Sequence, residues 1–264
     1  MNDRLNAVLA DLEAEGVQLQ SWVAPLETGQ WSMPTPAEGW TIAHQIAHLL
    51  WTDEVSAMAI SSPDGFGAMI KEAAQNPGGF VDAEAGRLAI LPADELLFRW
   101  KASRAAIIEA LRDVPEGTKI TWFGPPMSAT SMATARLMET WAHAHDVAET
   151  LGIEVPRTGR AKHVAYLGVR TRGFAYLIHG GQAPAEEPRI ELTGPDGDPW
   201  AWGPEDATQR VTGDGYDFAL LATRRRHLDD VDVKAEGEDA EYWLTIIQAF
   251  AGMPGADPRK LGER

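Results

Sequence analysis

Glu139 and His143 stand four residues apart in Met138-Glu-Thr-Trp-Ala-His-Ala-His-Asp146, a run free of helix breakers. A helix there puts both on one face, one turn apart. Ala135, Glu139, Ala142, His143 and Asp146 share a narrow arc of that helix, whereas His145 points elsewhere. Glu-x-x-x-His is also a common solvated pair, but the alanines beside this one predict burial. A buried carboxylate and imidazole are costly unless something satisfies them. A further imidazole is offered by the helix predicted around Ile46-Ala-His-Leu-Leu-Trp51, where His44, His48, Trp51 and Val55 share a face. His48, Glu139 and His143 together make a three-donor metal set with an open fourth position, the arrangement of a catalytic rather than a structural zinc site. Asp146, one turn past His143, is placed to orient a ligand. Such a site needs facing helices, so the chain is expected to build a helical bundle.

Composition narrows the chemistry. The chain has no cysteine, which removes thiolate metal sites, disulfides and cysteine nucleophiles. Any metal is held by His and carboxylates, and any reacting thiol arrives on a small molecule. A net charge of −16 argues against nucleic-acid backbones and anionic lipid as partners. No apolar run approaches the roughly 20 residues of a membrane span. The first residues, Met1-Asn-Asp-Arg-Leu-Asn6, lack a basic and then apolar leader, so a cytoplasmic location is expected.

Helices are expected over 3–23, where Leu5, Val8, Leu9, Leu12 and Leu19 recur at helical spacing, and over 41–60, 94–111 and 128–151. The last is bounded by a Ser or Thr cap and by Gly152. Between the second and third, Ser62-Pro-Asp-Gly65 and Asn76-Pro-Gly-Gly79 mark a long excursion with one short helix. Pro156-Arg-Thr-Gly159 is the expected link between two domains, 1–155 and 156–264. The second begins with a helix over 161–179. Strands follow at 189–193, 199–202 and 207–212, then helices at 215–223 and 240–251. The fold class expected is α+β, a four-helix bundle followed by a smaller α+β domain.

Gly39-Trp-Thr-Ile-Ala-His-Gln-Ile-Ala-His-Leu49 and Arg136-Leu-Met-Glu-Thr-Trp-Ala-His-Ala-His-Asp-Val-Ala148 resemble the DinB-like superfamily. Within it they are similar to the mycothiol-dependent maleylpyruvate isomerase family, in particular an uncharacterised actinobacterial, metal-binding branch. Gly194-Pro-Asp-Gly-Asp-Pro-Trp-Ala-Trp-Gly203 and Thr212-Gly-Asp-Gly-Tyr-Asp-Phe-Ala-Leu-Leu-Ala-Thr-Arg-Arg225 resemble that family's second domain, itself similar to sterol-carrier proteins. The resemblance implies His48, Glu139 and His143 as ligands of a divalent metal, zinc or nickel, with Asp146 close by. It also implies mycothiol as cosubstrate, and an Arg from Arg224-Arg-Arg226, Arg224 or Arg225, as anion holder.

The expected activity is isomerisation or S-transfer on a small electrophile, by a thiol whose proton the metal removes. Two other readings stay open. One is metal-dependent hydrolysis with Asp146 or His44 as proton shuttle. The other is a non-catalytic, metal-holding bundle whose second domain binds an apolar ligand in an aromatic-lined pocket; Trp31, Trp40 and Trp51 are separate candidates for a pocket mouth, against the alternative of core packing. Small molecules are the expected partners.

Overall fold

A computed structural model describes residues 3–76, 78–252 and 257–263. Pro77 of the Asn76–Gly79 turn signal, and Met1 and Asn2 of the leader reading, lie outside the described residues. The chain divides into two compact units, 1–155 and 156–264.

The first unit is helical. Its elements are α1 (Asp3–Val23), α2 (Ile42–Ser61), α3 (Pro63–Ala73), α4 (Phe80–Ala89), α5 (Ala93–Asp113) and α6 (Ala129–Leu151). α1, α2, α5 and α6 pack as the bundle, and α4 lies along α2. The core is apolar in the ordinary way: Leu9, Leu12 and Leu19 of α1, Ile42, Ile46 and Leu49 of α2, Trp100 and Ile107 of α5, and Leu137 and Trp141 of α6 are all buried. Helix α6 is buried almost all round from Met132 to Ala148. Its alanines allow this, since Ala133, Ala142, Ala144 and Ala148 let neighbouring helices approach closely. It starts where Ser128 Oγ accepts the Ser131 N–H at 3.1 Å, and it stops at Gly152, whose φ of 66° only glycine adopts without strain. The excursion holds two helices rather than one. Pro63 opens α3 at a position where its missing N–H is harmless, and Phe66, Ala85 and Leu88 bury one side of each.

The second unit carries α7 (Ala161–Arg170), α8 (Arg172–Ile178), β1 (Arg189–Thr193), β2 (Pro199–Trp202), β3 (Arg210–Asp214), α9 (Gly215–Ala222), β4 (Val233–Glu236) and α10 (Glu238–Ile246). The sheet order is β2-β1-β3-β4, with β1 and β3 parallel and both outer pairs antiparallel. Helix and sheet share one core around Trp200, Phe218 and Trp243. The helix expected over 161–179 is interrupted: Thr171 leaves helical geometry (φ −91°, ψ 6°), and its hydroxyl reaches both Leu167 O at 3.0 Å and Gln248 O at 2.5 Å. The third strand sits at 210–214 rather than 207–212. The fourth, only four residues long, has no sequence signal apart from its pairing with β3. No helix among the described residues is long and apolar enough to cross a membrane.

One feature of the first unit is costly. Arg104 of α5 donates to Asp53 Oδ2 of α2 at 2.7 Å, with side chains 7% and 0% exposed. Removing one partner of such a buried pair strands the other charge. Asp53→Ala is therefore expected to lower stability by about 3–5 kcal/mol. In urea titrations, Asp53→Ala combined with Arg104→Met should recover most of that loss.

Candidate metal centre

Helices α2 and α6 face each other, and three side chains converge between them. His48 Nε2 and His143 Nε2 each lie 3.3 Å from the same Glu139 oxygen, Oε2. The two imidazole centroids are 4.6 Å apart. Ligand atoms of all three residues lie within 4.8 Å of one another, close enough to hold one ion. His48 and His143 are buried, and the Glu139 side chain is 18% exposed.

The protonation of His143 is set by its surroundings. The Trp40 carbonyl can only accept. Thr35 donates its hydroxyl proton to it at 3.0 Å, so Thr35 Oγ1 must accept from Gln45 Nε2 at 2.8 Å. The Gln45 carbonyl oxygen is thereby turned to His143 Nδ1, with which it makes a close hydrogen bond. Nδ1 carries a proton, so the ring turns Nε2 to the Glu139 oxygen, and Nε2 is the nitrogen that could bind a cation once its own proton has left. Two acceptors at 3.3 Å repel unless a proton or a cation lies with them. Two imidazoles and a carboxylate are a common donor set for zinc and its neighbours. The residues therefore fit a divalent metal.

Burial alone would raise the Glu139 carboxyl. The hydrogen bonds with His143 and His48, aided by the charges of His48 and Arg136, outweigh it and hold the group well below the usual carboxylate range. Glu139 is thus an anion over the whole neutral range and is available as a ligand.

The other expected residues are placed as follows. Asp146 Oδ2 stands 3.8 Å from His143 Nδ1, and it is Gln45 that hydrogen-bonds that nitrogen. His44 caps its own helix, its Nδ1 receiving the Thr41 N–H at 3.3 Å. His145 Nδ1 turns back to Trp141 O at 2.7 Å, away from the cluster. Arg224 and Arg225 belong to the second unit. Arg224 has φ 60° and binds Asp257 at 2.6 Å, while Arg225 reaches Thr223 O at 2.8 Å. Trp31 and Trp51 are core residues, each 5% exposed. Trp40 alone of the three stacks on a donor, 5.8 Å from His143 at 12°, and its indole N–H reaches Asp82 of α4 at 3.0 Å. Gln45 escaped the sequence reading. Its one signal is its place in His44-Gln-Ile-Ala-His48, one turn before a donor on a buried face.

A buried His-Glu-His cluster between two helices of a bundle defines a class, the helical bundles with an internal cluster able to hold a metal. The particular family follows from comparison. Residues 12–148 match the family model described as the mycothiol maleylpyruvate isomerase N-terminal domain. The chain belongs to that family. Residues 184–236 match a second model, described as wyosine base formation. Two uncharacterized proteins from strains of Mycobacterium tuberculosis are each 55% identical over 247 residues, covering 94% of this chain and 96% of theirs. The crystal structure of the mycothiol-dependent maleylpyruvate isomerase superposes with a TM-score of 0.60 at 17% identity, and that of a mutant of it with 0.59. Each covers 89% of this chain and 95% of the other. At that identity the likeness is one of fold, here the α+β fold of a helical bundle with a small sheet unit.

If Gln45 sets the ligand tautomer, removing its carbonyl should weaken the metal without removing a donor. Gln45→Leu is expected to lose about 10–100-fold in zinc affinity, measured by chelator competition. His48→Ala and Glu139→Ala should retain no stoichiometric metal by elemental analysis.

Proposed function

We propose that this chain is a metal-dependent enzyme that uses mycothiol to isomerise, or to transfer sulfur to, a small electrophilic substrate. The observation that carries the reading is the convergence of His48 Nε2 and His143 Nε2 on one Glu139 oxygen in a buried cluster that could hold one ion. Family membership supports the thiol, as does the absence of cysteine, since a nucleophilic sulfur must then come from outside the chain. His48, Glu139 and His143 would hold the metal, with zinc the best match to the donors and nickel an acceptable one. When bound, such an ion lowers the pKa of a thiol ligand enough to give thiolate at neutral pH.

The chain's own residues supply the rest. Gln45 fixes the tautomer and orientation of His143. Trp40 lies against His143 and His48 and screens that side of the donors from water. Asp146, close behind His143, is the proton acceptor in this reading. Arg224 and Arg225 are its anion-holding cations. The setting is the cytoplasm, where the thiol pool is reduced.

The test is turnover of maleylpyruvate and related unsaturated keto acids by zinc-loaded protein, with and without mycothiol. Turnover that requires the thiol, and that falls at least about 1,000-fold in Glu139→Ala, is the expected result. Equal turnover without thiol would replace this reading with hydrolysis. Stoichiometric zinc with no turnover on any such substrate would leave a binding protein.

A further inference from the structure

Arg136 has no task in the reading above. It sits on α6 one turn before Glu139 and is 4% exposed. Its Nε and Nη1 are buried and have no hydrogen-bond partner among the described residues. Nη2 stands 3.9 Å from Glu139 Oε1, beyond hydrogen-bond reach. The nearest other acid, Asp53, is engaged by Arg104. A desolvated guanidinium with unused donors needs an anion.

Glu139 is a counter-charge for Arg136 only while its own charge is not committed elsewhere. A cation on His48, Glu139 and His143 would commit that carboxylate and leave Arg136 with no acid among the described residues within hydrogen-bond reach. The planar fork of arginine suits a carboxylate, which accepts two parallel hydrogen bonds.

An aromatic wall runs from this guanidinium to the metal donors. The Arg136 guanidinium lies 5.8 Å from the Trp122 ring, which stacks on Phe66 at 5.5 Å and meets Phe123 edge-on at 5.2 Å. Phe123 lies 6.3 Å from Trp51, and Trp51 lies 6.2 Å from the His48 ring. Such a wall accepts a flat, unsaturated carbon skeleton. Trp122 and Phe123 come from the irregular segment between the bridged residues Ile120 and Met127.

We propose that Arg136 is a carboxylate anchor of the site, holding an acid group of the second substrate while its unsaturated carbons lie along the Trp122–Phe123–Trp51 wall. The place of the thiol in this picture rests on the function proposed above; the anchor itself is tested without turnover. The probes are crotonate, a small flat carboxylate, and crotonamide, its neutral counterpart. Both are titrated by calorimetry into zinc-loaded wild type, Arg136→Met and Arg136→Lys, with zinc content and melting temperature recorded on the same samples.

Crotonate should bind wild type in preference to crotonamide. It should weaken on the order of ten- to a hundredfold in Arg136→Met and less in Arg136→Lys, with crotonamide unaffected. Equal binding of crotonate to Arg136→Lys and wild type, or no preference for crotonate in wild type, would overturn the anchor even if Arg136→Met does not fold. Arg136-dependent crotonate binding without thiol-dependent turnover would leave the anchor and remove the function. Thiol-dependent turnover with Arg136-independent crotonate binding would do the reverse.

Discussion

The first unit is organised around a carboxylate that two imidazoles share inside an apolar bundle. Placing Glu139 there requires neighbours small enough to admit it and polar enough to hold it. Helix α6 supplies the first condition through its alanines, which let α1, α2 and α5 close around a helix carrying Arg136, Glu139, His143 and Asp146 on its buried surface. Helix α2 supplies the second through His48 and Gln45. The proton on His143 is then decided by a backbone carbonyl in a loop, because Trp40 O fixes Thr35, Thr35 fixes Gln45, and Gln45 fixes the ring. A loop that touches no metal donor through its backbone thus determines which nitrogen of a donor is free.

Charge is handled in layers behind the donors. Asp53 and Arg104 neutralise each other at depth, and Arg136 stands between that pair and Glu139. The layer at Arg136 is the one without a hydrogen-bonded anion of its own among the described residues. The same residue adjoins Trp122, so charge and aromatic surface change together along one wall.

The meeting of His48, Glu139 and His143 was legible in the sequence because helical spacing converts directly into a shared face. Glu139 and His143 needed only the period of a helix, and the ends of α6 were visible in Ser128 and Gly152. His48 needed the expectation that two helices face each other. What sequence could not supply depends on partners far along the chain. Gln45 acquires its role from Thr35, His143 and the fold of the intervening loop. Arg136 is conspicuous only once Trp122 covers it and no acceptor is found for two of its nitrogens. The break at Thr171 reflects a carbonyl 77 residues away, and β4 exists because β3 offers it an edge. Local pattern carries local structure; these features are contacts between distant segments.

Trp40 joins two parts of the first unit that the sequence keeps apart. One face of its indole lies on a donor histidine, and its N–H is tied to Asp82 in the excursion that carries α3 and α4. Among its described residues that excursion adds nothing to the His48–Glu139–His143 cluster. Changes there reach the cluster's surroundings through Trp40, through Phe80 against Trp51, and through Phe66 against Trp122. Residues of the excursion can therefore alter the surroundings of His48, Glu139 and His143 without belonging to the cluster.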